Sequence, residues 1–128
     1  RVQQNDQEKK IFQKIACFGP GIIVITKGKQ GAVAFDGEFV YQIEAPAVKV
    51  VDATGAGDSF GSGLVAGLIQ SKWGRSDLPH FPQIIEKSLR LAMANAIGVI
   101  RVFGANQGLL KKDDKLPKIR ITKTLYKT

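Results

Sequence analysis

The sequence predicts a mixed α/β fold, and three observations carry that prediction. A stretch with apolar residues at helical spacing leads into a continuous apolar run of strand length. Two short extended segments separated by turn residues come next. A glycine-rich connection then opens a second, longer helical stretch. At 128 residues and 44% hydrophobic content the chain can bury one ordinary core, with no room for a second domain of usual size. Only 23% of residues are charged, and Leu, Ile, Val and Phe are spread along the chain, which excludes wholesale disorder.

The first helix is expected from about Asp6 to Phe18, where Ile11, Phe12, Ile15 and Phe18 recur at helical spacing, and Gly19-Pro20-Gly21 stops it. Ile22 to Thr26 reads as a strand buried on both faces. Lys27 to Gly31 is a tight turn, Ala32 to Phe35 resumes extended structure, and Asp36-Gly37 turns the chain again before the alternating Phe39 to Ile43. Val48 to Val51 is a further short strand. Beyond the glycine-rich segment Asp52 to Asp58, a helix is expected from Ser59 to Lys72 with Phe60, Leu64, Leu68 and Ile69 on one period. Trp73 to Pro82 is a loop. Gln83 to about Val102 is a long apolar helix carrying Leu89, Ala92, Met93, Ala96, Ile97 and Ile100, ended by Gly104 or Gly108. No solenoid repeat is present.

Composition narrows the function classes. A lone Cys17 cannot form an internal disulfide, so a disulfide-stapled scaffold is excluded and a reducing, cytoplasmic setting is expected. The longest apolar runs, such as Ile22 to Ile25, fall far short of the roughly 20 residues of a bilayer span, so no membrane partner is expected. The first residues are polar, without a signal-peptide core, and the missing initiator Met suggests an excerpt of a longer chain. Nineteen Lys and Arg against eleven Asp and Glu give a formal charge of +8, which favours anionic ligands. Much of the surplus lies at the ends, in Lys9-Lys10 and in the series from Lys111 through Lys118, Arg120 and Lys123 to Lys127. That tail includes Asp113-Asp114 and lacks interleaved aromatics, so it reads as solvated surface, and no nucleic-acid partner is expected.

The chemistry concentrates in Asp52-Ala53-Thr54-Gly55-Ala56-Gly57-Asp58. Glycines allow close backbone approach, and the first amides of a helix point unpaired N–H groups and the positive dipole end at an anion. Gly55, Ala56 and Gly57 can thus hold a phosphate, beside which the Asp58 carboxylate can take a proton from an attacking hydroxyl. By spacing alone, a tight turn followed by a helix N-terminal acid fits equally well. A dinucleotide loop fits less well: Gly55, Gly57 and Gly61 have the looser spacing, but Asp77 follows a helix rather than a strand. A phosphate loop of the Gly-Lys-Ser/Thr type is excluded, because no such triplet follows.

The string Val51-Asp52-Ala53-Thr54-Gly55-Ala56-Gly57-Asp58-Ser59-Phe60 closely resembles the C-terminal signature D-x-T-G-A-G-D of the ribokinase-like (PfkB) family of carbohydrate kinases. Val24-Ile25-Thr26-Lys27-Gly28-Lys29-Gln30-Gly31-Ala32 also looks like that family's nucleotide-proximal strand and turn. The resemblance covers about Ile22 to Ala105. It implies a three-layer α/β/α sandwich of which residues 1–128 are the C-terminal part, within a single kinase domain whose N-terminal substrate and lid region is absent here. It implies ATP-dependent phosphorylation of a sugar hydroxyl, with Asp58 as base and Gly55, Ala56 and Gly57 as the anion hole. Thr26, Lys27, Gly28 and Gly31 would border ATP.

The resemblance also implies Mg2+ and a monovalent cation, usually K+. Asp52 and Thr54 match positions that bind the monovalent cation, and main-chain carbonyls near Gly98, Arg101 and Gly104 would complete its site, in a stretch with one extra residue relative to the family pattern. Family members often carry Asn or His at the position of Ala92. Asn95, about one helical turn later, is the remaining candidate beside the adenosine, and a locally satisfied polar residue on an apolar helix is its other reading. His80 stands alone in a loop, Cys17 is expected to be a packed thiol, and Trp73 is expected to anchor a helix end. Partners implied are a sugar and ATP, with a homodimer as the full-length form. A nucleoside kinase of the same fold, or a non-catalytic nucleotide-binding or interaction fragment, are the alternatives. Such an excerpt is expected to expose a strand edge and apolar helix faces, and so to be unstable, self-associate or depend on the absent part.

Overall fold

A computed structural model of the chain describes residues 6–47, 53–73, 82–100 and 118–126. The element order is α1 (Asp6–Ala16), β1 (Ile23–Thr26), β2 (Ala32–Phe35), β3 (Phe39–Ile43), α2 (Ala56–Gln70), α3 (Pro82–Ile100) and β4 (Ile121–Leu125), with a single 3-10 turn at Gly28–Gln30. The strands form one antiparallel four-stranded sheet in the order β1-β2-β3-β4. The expected Val48 to Val51 strand, and the helix stops at Gly104 or Gly108, lie outside the described residues. So do Asp77 and His80.

Side-chain alternation gives the sheet two apolar faces, each covered by helix. On one face Ala32 and Ala34 of β2 stand opposite Ile43 and Tyr41 of β3, and this mixed small and large surface packs against Phe60 and Leu64 of α2 and Ile85, Leu89, Met93 and Ile97 of α3. On the other face Ile23, Val33, Phe35 and Val40 pack around Phe12 of α1, whose ring stacks on Phe35 at a centroid distance of 5.3 Å. The result is a three-layer α/β/α arrangement.

Strand burial differs from expectation. β1 pairs only with β2 among the described residues, and Val24 and Ile25 stay half-buried; the strand buried throughout is β2, which has a neighbour on each side. The basic C-terminal segment is not uniformly solvated surface: Ile121–Leu125 pairs with β3, placing Ile121 on the core and Lys123 over the Phe39 ring at 4.9 Å. Lys123 also reaches Glu86 of α3 at 3.8 Å. A lysine on an edge strand is what a sequence reading by charge takes for coil.

Helix ends follow local chemistry. α1 stops at Ala16, short of the expected Phe18, because Phe18 and Gly19 donate back to Ile15 and Ala16 in a closing turn, with Gly19 at φ +89°. Phe12 is buried while Ile11, Ile15 and Phe18 are exposed, and Cys17, expected to be packed, is exposed because it lies past the helix end. α2 closes with paired bonds from Lys72 N–H to the Ile69 carbonyl and from Trp73 N–H to that of Leu68, with Lys72 in the left-handed region. Trp73 then packs on the core, anchoring the helix end as expected, whereas Ile69 is exposed.

The β2–β3 turn is tied by Asp36, which accepts from the N–H groups of Glu38 and Phe39 and from the Tyr41 hydroxyl at 2.6 Å. Burial, then the bond to the Asp36 carboxylate, push the Tyr41 phenol well above its ordinary range. The β1–β2 turn rests on two glycines with positive φ: Gly28 at +56° in open space, and Gly31 at +84° against the backbone of residues 43 to 45. A Cβ at Gly31 would overlap the Ile43 carbonyl oxygen. Gly31→Ala is therefore expected to lower stability by about 3 kcal/mol or more, against about 1 kcal/mol for Gly28→Ala, read from denaturant midpoints. Equal losses at the two positions would show that the Gly31 contact is not a constraint.

Candidate functional site

The turn 53–55 delivers the chain into α2 through Gly55, which has φ +80° and ψ 4°. Only glycine adopts this conformation without strain, and it starts the helix at Ala56, three residues before the expected Ser59. Asp58 consequently lies within the first helical turn, with its side chain exposed. The N-cap residue is Gly55 itself, which brings no side chain to the helix start. The Ala56 N–H points back to the Ala53 carbonyl at 3.3 Å, and the Ser59 N–H makes the first bond of the helix, to Gly55, at 2.9 Å. Between them stand the amides of Gly57 and Asp58, first-turn groups with no acceptor of their own in a regular helix. A Cβ built on Gly57 would meet nothing within 4 Å, so the helix mouth is open there. A left-handed glycine, first-turn amides, open space and an adjacent carboxylate form an arrangement that can accept a phosphate and a proton together.

Ser59 and Phe60 are buried immediately after Asp58, and what holds them is the approach of α2 to α3. Ser59, Gly63 and Gly67 recur every fourth residue along α2. A Cβ on Gly63 would come within 2.9 Å of the Ala92 Cα and 3.3 Å of the Asn95 Cβ, and one on Gly67 within 2.8 Å of the Ser88 Cα. The helices are thus close enough for side chain to reach backbone. Asn95, 7% exposed, donates its amide N–H to the Ser59 carbonyl at 2.8 Å, with the Ser62 hydroxyl at 3.5 Å. Ser62 donates to the same carbonyl at 3.2 Å. Sequence reasoning missed Ser59 and Ser62 as partners of Asn95; the four-residue recurrence of Ser59, Gly63 and Gly67 was an available signal for Ser59, and none marked Ser62.

The second expected group lies on the β1–β2 turn. Thr26 ends β1 with its side chain exposed, Gly28 is exposed, and Gly31 is buried against β3. Lys27 bends away: its ammonium pairs with Glu8 of α1 at 3.0 Å, and its N–H donates to the Gly31 carbonyl at 2.8 Å. Glu8 is nearly buried, a partner that no motif marks. Of the expected monovalent-cation positions, Thr54 is in the turn and Gly98 in α3, while Asp52, Arg101 and Gly104 lie outside the described residues. Among the described residues no group of three or more His, Cys, Asp or Glu side chains is arranged to hold a metal, so no magnesium ligand is assigned. No helix among them is long and apolar enough to cross a membrane.

Comparison with known proteins bears on this geometry. The family model described as pfkB family carbohydrate kinase matches residues 2–112. An ATP-dependent 6-phosphofructokinase from Thermoanaerobacterium thermosaccharolyticum is 32% identical over 105 residues, which is 82% of this chain and 29% of that protein. A ribokinase from Lactococcus lactis is 33% identical over 98 residues, 77% of this chain and 29% of its own length. The chain thus spans under a third of these curated relatives. Among solved structures, fructokinase from Vibrio cholerae bound to fructose, ADP and calcium superposes with a TM-score of 0.66 at 27% identity, covering 83% of this chain and 32% of that one. Its double mutant bound to fructose, ADP and potassium gives 0.64 at the same identity and coverage. The chain belongs to the pfkB family of carbohydrate kinases.

Proposed function

We propose that this chain forms the phosphoryl-transfer part of an ATP-dependent sugar kinase, and that residues 1–128 are the C-terminal portion of one kinase domain. The observation that carries the reading is Asp58 standing exposed in the first turn of a helix opened by a left-handed glycine. In this reading the Asp58 carboxylate accepts the proton as the sugar O–H bond breaks; the oxygen forms a new bond to the γ-phosphorus, and the bond from that phosphorus to the ADP oxygen breaks. Amides at Gly57 and Asp58, with the helix dipole, hold the charge of the transferring group, and Gly55 and Ala56 shape the loop that presents them. ATP supplies the phosphoryl group when bound, and Thr26, Gly28 and Gly31 shape the turn beside it. Lys27, held by Glu8, contributes by fixing that turn.

A sugar acceptor is supported by the phosphofructokinase and ribokinase relatives and by the fructose-bound structural neighbour. Use of potassium is supported by the potassium in that neighbour's double mutant, and Asp52 and Thr54 are the residues proposed to hold it. Magnesium as the companion of ATP and a cytoplasmic setting belong to the same proposal. Val65 and Ile69 lie exposed on the outer side of α2, and β1 has one neighbour among the described residues, which fits a surface completed by further chain.

Two measurements test the reading on the full-length protein. Asp58→Asn is expected to lower kcat by about a hundred- to ten-thousand-fold while ATP affinity stays close to the parent's, because the isostere removes only the base. Parent-like turnover in this variant removes Asp58 from the mechanism. Gly57→Ala is expected to leave the melting temperature unchanged or slightly raised, since helix propensity favours Ala by up to about 1 kcal/mol and the space is open. The same methyl group is expected to weaken ATP binding, read by calorimetry; unaltered binding means that the phosphate sits elsewhere.

A further inference from the structure

The first turn of α2 follows a left-handed glycine, Gly55, which as the N-cap residue offers no side chain to the turn. Its carbonyl at Ser59 is nonetheless engaged from outside the helix, by Asn95 across 36 residues of sequence. Ser59 adjoins Asp58, and consecutive Cα atoms stand about 3.8 Å apart, so whatever fixes the Ser59 peptide fixes the base of the Asp58 side chain. We infer that Asn95 is a positioning residue: its amide, donated to the Ser59 carbonyl, sets the direction in which the first turn of α2 presents Asp58. This rests on the reading of Asp58 as the base.

Three features argue for this role over general packing. Asn95 is buried on a helix whose other buried residues from Leu89 to Val99 are apolar, and a buried amide is costly unless hydrogen bonds offset it. Its bond, at 2.8 Å, goes to backbone, and to the carbonyl next to the proposed base. Ser62 donates to that same carbonyl, so the Ser59 oxygen is a node where the helix and its neighbour are tied together. The absence of a Cβ at Gly63 admits α3 to the necessary distance. Misplacement of a reacting group by about 1 Å can cost on the order of a hundredfold in rate, so the clamp is expected to show in turnover more than in binding.

The test uses the full-length protein and four variants. Asn95→Ala is expected to lower kcat by about ten- to a hundredfold, to leave KM for ATP within about twofold, and to speed hydrogen exchange in the first turn of α2. Ile85→Val, near the other end of α3, supplies a comparable loss of melting temperature through the core and is expected to keep kcat. Asn95→Asp preserves volume and carries the decisive readout. Protonated, its carboxyl can donate to the Ser59 carbonyl and restore turnover; ionised, it repels that oxygen, so kcat gains a descending limb as pH rises, which the parent and Asn95→Ala lack. Burial raises the pKa of the introduced carboxyl and brings this limb into an accessible range. Parent-like kcat and exchange in Asn95→Ala, losses that merely track melting temperature as in Ile85→Val, or an Asn95→Asp variant without the extra limb each overturn the inference. Asp58→Asn runs alongside: if it keeps full turnover the base reading falls, and the clamp is then decided by first-turn exchange alone.

Discussion

The close approach of α2 to α3 is the constraint on which the rest of the described structure depends. Gly63 and Gly67 give up side chains so that Ala92 and Ser88 can meet the α2 backbone, and neither position has room for a methyl group without a shift of main chain. Because the two helices lock in this way, they present a joint surface of Phe60, Leu64, Ile85, Leu89, Met93 and Ile97 to the sheet, and Ala32 and Ala34 let them settle on it. The same seam carries the Asn95 bond to Ser59, so the packing of the core reaches the residue next to Asp58 in the first turn of α2. Interiors are close-packed and transmit strain, which makes such a coupling of core to site effective.

The opposite layer ties a second local structure to the core by another route. Phe12 fixes α1 on the sheet through Phe35, and Glu8, one turn earlier on the same face, meets Lys27 at the β1–β2 turn. A mostly buried carboxylate needs a partner, and a lysine held by one is withdrawn from service as a mobile cation. The turn therefore owes its shape to two different forces: conformational freedom at Gly28 and Gly31, and an ion pair to a helix on the far side of the sheet. Both candidate segments are thus loops whose geometry is settled by helices that carry no motif.

Most of the strand and helix pattern was legible in the sequence because it is local. Hydrophobic period gave α1, α2 and α3, glycine and aspartate gave the turns at 27–31 and 36–37, and the glycine loop before α2 was marked by its own string. What was misread depended on neighbours. Ile22 to Ile25 looks buried on both faces as a run of letters, yet burial belongs to a strand's position in the sheet, and β2 holds the central place. Lys118 to Lys127 looks like solvated tail because charge dominates it, while the alternation of Ile121 and its pairing with Ile43 are visible only once β3 exists to pair with.

The sequence by itself determined the family, the α/β class and the glycine-rich loop that opens α2, since each is written in contiguous residues whose conformational needs are local: a left-handed glycine, a helix start, a carboxylate in its first turn. Only the tertiary structure decided what supports that loop. Asn95 could be read from sequence as a nucleotide contact or as a polar residue with a local partner, and Lys27 as one of the residues bordering ATP. Their bonds to Ser59 and Glu8 join residues far apart in the chain, and such partners are chosen by packing, which no single stretch of sequence records.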